Sequence, residues 1–255
     1  MLAKRSLIRK SVSILPRNRI RKENTHKART IIGHPSWRRK HLKQKIKAPQ
    51  LPSSLTSATI LQLEEGDDQI GSIQLIGDET NGLICPDHLE IRQSSFKQVT
   101  LLNSSFSRSD LSDVVFEKCD LSNVQFQDAI IHKAEFRRCR MTGFNGSGAS
   151  FRHVRFIDCL LDYSAFGFSN IKNVAFSHCS LQEADFYQSV LKHTEIQDCQ
   201  LHGANFAQTD LSDMDLRTCS FQQLTVSFDK LQGCTVTSEQ AIGFAKILGL
   251  NIEDH

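Results

Sequence analysis

The chain holds one tryptophan, two tyrosines and five prolines among 255 residues, and nowhere does it contain a run of 18 apolar residues. That last absence excludes a membrane-spanning helix. No apolar stretch follows the basic start, so a secretory signal is not expected either. The eight cysteines include no CxxC pair and no histidine at ligand spacing, which leaves no metal centre to expect. Hydrophobic residues make up 39% of the chain, little for one ordinary close-packed core. These absences point to a soluble cytoplasmic protein of unusual architecture.

Charge of one sign is missing in blocks. Residues 1–49 carry 16 Lys/Arg against a single acid, Glu23, and residues 51–85 carry six acids and no base. From 86 to 236 there are 14 bases and 18 acids, so a net charge of +3 hides a basic head on a mildly acidic body. The head invites three readings: an arm for nucleic acid or anionic membrane, a transit-like segment, or sequence upstream of a natural start near Ile46. Disorder is expected for 1–46, with a cap region over 47–85.

What is present in abundance is a period of five. From Ile91 through Val236, 29 of the 30 positions spaced five apart are apolar, and only Gly146 breaks the series. Five fits neither the 3.6 of a helix nor the 2 of a strand. The residues two before each centre are mostly small or β-branched, such as Ser109, Val114, Cys119, Ala129 and Ala134. One large and one small inward residue in every five describe a chain that turns a corner each pentapeptide, and four corners close a square coil of 20. Cysteines at 119, 139, 159, 179, 199 and 219 repeat at that spacing and stack in one column. Roughly seven coils follow, at the rung spacing of hydrogen-bonded strands.

The tracts SDLSDVVFEKCDLSNVQF, ADFYQSVLKHTEI and GANFAQTDLSDMDL resemble the pentapeptide-repeat family. The resemblance implies an all-β, right-handed quadrilateral β-helix over 86–236. It also implies a non-enzymatic interaction scaffold, most concretely one that occupies the DNA-binding saddle of a type II topoisomerase, DNA gyrase or topoisomerase IV, and protects it from quinolones or toxins. Some members carry a glycine midway, so Gly146 is either a flexible joint or a coil repacked around Phe144. In topoisomerase-protecting relatives a C-terminal helical segment joins two rods.

The ends need caps. Thr237-Ser238-Glu239-Gln240 reads as a capping box opening a helix through Leu248, stopped by Gly249. Its apolar residues Ile242, Phe244, Ile247 and Leu248 either cover the last coil or meet a second copy. Upstream, a short helix is expected around Ser57–Glu65, then a Gly66-Asp67-Asp68 turn and a strand over Ile70–Ile76 that pairs with the first coil. The acids Glu64, Glu65, Asp67 and Asp68 lack partner ligands and read as turn chemistry.

A filled interior leaves no pocket, so neither enzyme chemistry, nor a cofactor, nor a small-molecule substrate is expected. The histidines 132, 153, 178, 193 and 202 all fall at outward positions. Function therefore belongs to the outer columns. His132, Arg152, Lys172 and Lys192 share one column and form a candidate partner-binding stripe, while Asp120, Asp162, Glu183 and Asp185 lie on other faces. That stripe argues against an all-acidic DNA mimic; an ordinary solvated face, a site for an acidic partner and a structural module without a topoisomerase link stay open beside it.

Overall fold

Each pentapeptide bends because the residue two after its centre takes a left-handed conformation. Positive φ recurs at Asn103, Asp113, Lys118, Asn123 and Asp128 and onward, with Gly143, Gly148 and Gly203 in the same role. Asn, Asp and Gly tolerate that region best, which is why corner columns are rich in them. Four corners close a coil, and the coils stack in a computed structural model that describes residues 45–64, 68–247 and 249–253. The forecast disorder of 1–44 lies outside the described residues, as do the proposed turn residues Glu65–Asp67 and the terminal Leu248.

The stack is a right-handed quadrilateral β-solenoid of about eight turns. All its ladders are parallel. Asp110–Glu117, Ile130–Arg137, Ser150–Ile157 and Asn170–Ser177 form long neighbouring strands, paired Phe116 to Phe136 to Phe156 to Phe176 at an offset of 20. Inside, Phe96, Phe116, Phe136, Phe156 and Phe176 stack with centroids 4.6, 5.0, 4.9 and 4.8 Å apart. Those intervals match the 4.7–4.9 Å spacing of paired strands, so ring stacking and backbone pairing satisfy one repeat without strain.

The cysteine column lies within the core. Cys119, Cys139, Cys159, Cys179 and Cys199 are at most 2% exposed, and each thiol donates to the carbonyl of a phenylalanine 23 residues earlier. They pack as small apolar groups, each thiol set between that carbonyl and a second one two residues earlier. Burial pushes Cys219 and Cys234 up to about 11 and, with Glu64 nearby, Cys85 up to about 12, so these three thiols are protonated at neutral pH.

The solenoid reaches further back than the five-residue period does. Gln69–Gly71, Ile73–Ile76 and Glu79–Asn81 pair with the coil above at an offset of 21, as does Ile84 with Ser105, whereas Glu90 pairs with Asp110 at 20. The extra residue falls between Ile84 and Glu90, in the Pro86-Asp87-His88 corner. One insertion shifts every earlier inward position out of register, which hides this coil from a count based on Ile91.

The helix expected over Ser57–Glu65 is a single turn, Leu61–Glu64; Thr56–Ser57 instead extends and pairs with Ile73–Gln74. Asp78 holds the start of that turn by accepting from the Ile60 amide at 3.0 Å. At the other end the helix Ser238–Ile247 carries the capping box in both directions: Gln240 N donates to Thr237 Oγ1 at 3.2 Å, and Thr237 N donates to Gln240 Oε1 at 2.9 Å. Gln240 Nε2 also donates to the Leu216 and Cys219 carbonyls, and Phe244 lies against Phe221 at 5.8 Å. The helix is thus bonded to the last coil.

Position 146 is a repacked coil. Phe144, from a small-residue position, is fully buried between Phe126 and Phe166, with centroids 5.6 Å from each. Gly146 N donates to Ala165 O at 2.7 Å and Phe126 N to Asn145 O at 2.6 Å, so the ladder runs unbroken and the flexible-joint alternative has no backbone gap to use.

Candidate functional site

The basic column is assembled as the 20-residue period requires. His132, Arg152, Lys172 and Lys192 are Cα partners in successive ladders. Arg152 and Lys192 are exposed, and His132 and Lys172 are half-buried. Beside them runs a corner column, Asp113, Lys133, His153, Asn173 and His193. Two of its outward residues are buried, His153 at 7% and Asn173 at 2% exposure.

Part of the cover is the chain's own segment ahead of the solenoid. Lys47 N donates to His153 Nδ1 at 3.3 Å, Arg155 donates to the Ile46 carbonyl at 2.5 Å, and Gln50 N donates to Asp113 Oδ1 at 2.9 Å. From Lys47 to Gln50 the strap moves three residues, about 10 Å when extended. From His153 to Asp113 is two rungs, again about 10 Å. The strap therefore runs along the rod, and Ile46, placed with the disordered arm by composition, is already held.

Under the strap sits an ionic knot. Glu135, 4% exposed, accepts from Arg155 at 2.8 Å and from Arg137, while Lys133 bonds Asp113 at 3.3 Å. The rings of His132 and His153 are 5.9 Å apart. Burial pushes His153 below the ordinary imidazole range, helped by Lys47, His132, Arg152 and Lys133. His132 moves the same way through burial and Lys133, with Asp113 opposing and Arg152 and Lys47 adding. A neutral His153 is what the Lys47 amide requires, because Nδ1 must accept.

A histidine held below its unfolded pKa supports the fold fully above about 6.5. That support is lost as the pH falls through this range and on through the folded value, because the unfolded chain takes up the proton first. Acidification is expected to loosen the strap. Following the Lys47 amide by NMR from pH 7.5 to 5 should show it leave its hydrogen-bonded position, and His153→Phe should flatten that titration. A Lys47 resonance unmoved across the window would remove the latch.

Away from the strap, Lys and Arg gather on one side between residues 121 and 208, while acids lie on both. Blocks 129–140, 149–160, 169–180 and 189–200 hold eight Lys/Arg and four acids; blocks 121–128, 141–148, 161–168, 181–188 and 201–208 hold no Lys or Arg and four acids, Asp128, Asp162, Glu183 and Asp185. On this base-free side Tyr163 and Phe168 are 68% and 63% exposed. A depression of about 340 Å³ at the boundary is lined by Asp120, Arg138, Arg140 and Asp158, whose cations pair with its own acids at 3.7 and 3.9 Å. Among the described residues no His/Cys/Asp/Glu group has the arrangement of a metal site, and no helix is long and apolar enough to cross a membrane.

Column-by-column reading therefore located the basic stripe but missed the strap, because KIKAPQ has no period and its contacts span 63 to 109 residues. It also passed over Tyr163 and Phe168, whose signal is an aromatic ring in corner columns whose neighbouring coils carry Gly, Asn, Asp, Gln, Glu183 and Arg108. Of the candidate dimer residues, Ile242 is 40% exposed and Phe244 is turned onto Phe221; the side chains of Ile247 and Leu248 lie outside the described residues.

The family model described as a pentapeptide repeat region matches residues 89–166 and 169–241. YisX, an uncharacterized protein of Bacillus subtilis (strain 168), is 52% identical over 207 residues, covering 80% of this chain and 96% of that one. Among solved structures, full-length QnrB1, a plasmid-mediated fluoroquinolone resistance protein, is 18% identical over 77% of this chain and 97% of its own, with a TM-score of 0.37. HetL, a pentapeptide repeat protein involved in heterocyst differentiation regulation from Nostoc sp. strain PCC 7120, is 14% identical over 66% of this chain and 86% of its own, with a TM-score of 0.26.

Proposed function

Because this chain belongs to the pentapeptide repeat family, whose coils fill their own interior, we propose that it acts through its outer faces. The reading is a non-enzymatic cytoplasmic rod that binds a type II topoisomerase, DNA gyrase or topoisomerase IV, and shields it from quinolones or DNA-directed toxins. The observation that carries it is the base-free side, where five successive coil blocks present four acids and no Lys or Arg. A cationic DNA-binding saddle is attracted to such a side and repelled by the opposite one, so the rod presents one orientation to it. The mixed overall charge, 18 acids against 14 bases, weighs less against the reading there, because the blocks from 121 to 208 on that side carry acids alone.

The test is supercoiling by purified gyrase in the presence of ciprofloxacin. Micromolar protein is expected to restore activity. Asp162→Lys, Glu183→Lys and Asp185→Lys together should raise the required concentration by about tenfold or more, since like charges set face to face cost several kcal/mol. Arg152→Glu with Lys172→Glu should leave it little changed. Neither protection nor inhibition at micromolar protein would remove the topoisomerase reading. Light scattering on the same sample tests whether exposed Ile242 and the helix end join two copies. The 16 Lys/Arg of residues 1–49 support a second reading, binding to nucleic acid or an anionic membrane, which deletion of 1–46 would abolish.

A further inference from the structure

Two aromatic residues stand where neither backbone nor core calls for them. Tyr163 and Phe168 occupy consecutive corners of one coil at φ 57° and 60°, the left-handed conformation that Arg108, Lys118 and His178 also take at theirs. Their column neighbours include Gly143, Gly203 and Asn123 for the first and Gly148 and Asp128 for the second. Neither ring is there for burial, since both are mostly exposed. Large apolar rings left in solvent side by side are a pointer to an interaction surface.

Between the two corners the outward positions are Ala165, half-buried, and Gly167, buried under the next coil, so neither puts a long side chain between the rings. In the next coil Tyr187 meets Phe168 edge to face at 5.5 Å and 82°. Asp185, the Cα partner of Ala165, has its Oδ1 engaged by the Tyr187 amide at 3.0 Å and by Asn205 Nδ2 at 2.8 Å. That fixes the carboxylate and leaves Oδ2 over Gly167, 3.4 Å from where a β-carbon would sit. An oriented carboxylate oxygen therefore covers a buried glycine beside the exposed ring of Phe168, in blocks 161–168 and 181–188, which hold no Lys or Arg.

We propose that the wall between Tyr163 and Phe168 is a docking site for an arginine side chain of a protein partner. The planar guanidinium lies beside Phe168, donates to Asp185 Oδ2, and has an aromatic face to stack on. A lysine ammonium satisfies the charge but not the planar stacking, so the site prefers arginine. The assignment rests on reading the base-free side as the side that meets a partner, and it holds for a topoisomerase or for any other protein that offers an exposed arginine.

The experiment is an NMR titration of the full chain with two probes, the blocked peptides Gly-Arg-Gly and Gly-Lys-Gly. Saturable millimolar shifts confined to Gly167, Phe168, Asp185 and Tyr187 are expected for the arginine peptide, with binding at least about threefold weaker for the lysine one. Phe168→Asn suits a left-handed corner, so it folds, and it should remove the arginine preference; Asp185→Asn should weaken binding by about tenfold. Shifts spread evenly over Asp128, Asp162 and Glu183, or equal affinity for both peptides, would overturn the proposal even if gyrase is protected. Localised, arginine-selective binding supports it even if gyrase is not.

Discussion

Leucine in place of Gly146 is expected to destabilise the solenoid by about 2–3 kcal/mol, although every neighbouring coil carries a large apolar residue at that position. The space is already taken: a β-carbon at 146 would come within 2.7 Å of Phe151 Cζ and 2.9 Å of Phe144 Cε1. Phe144→Ala alone should cost about 3–5 kcal/mol, because it empties a site sealed between Phe126 and Phe166. The two changes together restore the ordinary arrangement, large at the centre and small two before it, and should return stability to within about 1–2 kcal/mol of the parent. The result that matters is the coupling, since independent sites would add. Denaturation of the four proteins, with hydrogen exchange over 141–156 as a local readout suited to a repeat array, decides it. Additive losses would mean that Phe144 does not substitute for the missing residue.

That compensation was legible in the sequence because it stays within the period. Gly146 and Phe144 exchange roles inside one pentapeptide, and the register resumes unaltered at Phe151, so volume bookkeeping along one coil is enough. The capping box at Thr237 was legible for the same reason, its two hydrogen bonds joining residues three apart. What escaped lies where locality fails. The residue inserted between Ile84 and Glu90 moves the inward set from Ile91, Phe96 and Phe106 to Ile70, Leu75 and Cys85, and a search at a fixed interval from 91 cannot follow it. The strap is a further step removed: nothing in residues 45–50 marks the corner they lie against, and that corner is recognisable only once three coils stand beneath it. The base-free blocks were written in the sequence throughout, but they emerge from summing whole blocks of each coil, not from following a single column.

Arg155 carries the strap prediction with the second large effect. Its guanidinium donates one nitrogen to Glu135 Oε1 at 2.8 Å and another to the Ile46 carbonyl at 2.5 Å, so one side chain joins the buried carboxylate of the rod to the backbone of the strap. Glu135 has a side chain only 5% exposed, and its other cation, Arg137, is half in solvent. Arg155→Met keeps most of the stem but strands a buried charge with one partner, and removing one member of such a pair costs about 3 kcal/mol or more. Arg155→Lys should fall between, because an ammonium lacks the planar fork that reaches both acceptors. Arg155→Met with Glu135→Gln should recover part of the loss, since the stranded charge is then gone. In both single variants the amides of Lys47 and Gln50 should exchange faster, as the strap loses the bond that ties it down. Arg152→Met is the control: it is exposed and lies in the predicted partner column, and it should change stability by less than about 0.5 kcal/mol. Equal losses at 152 and 155 would show that the strap rests on general packing, leaving the basic column to be covered by contacts other than this one.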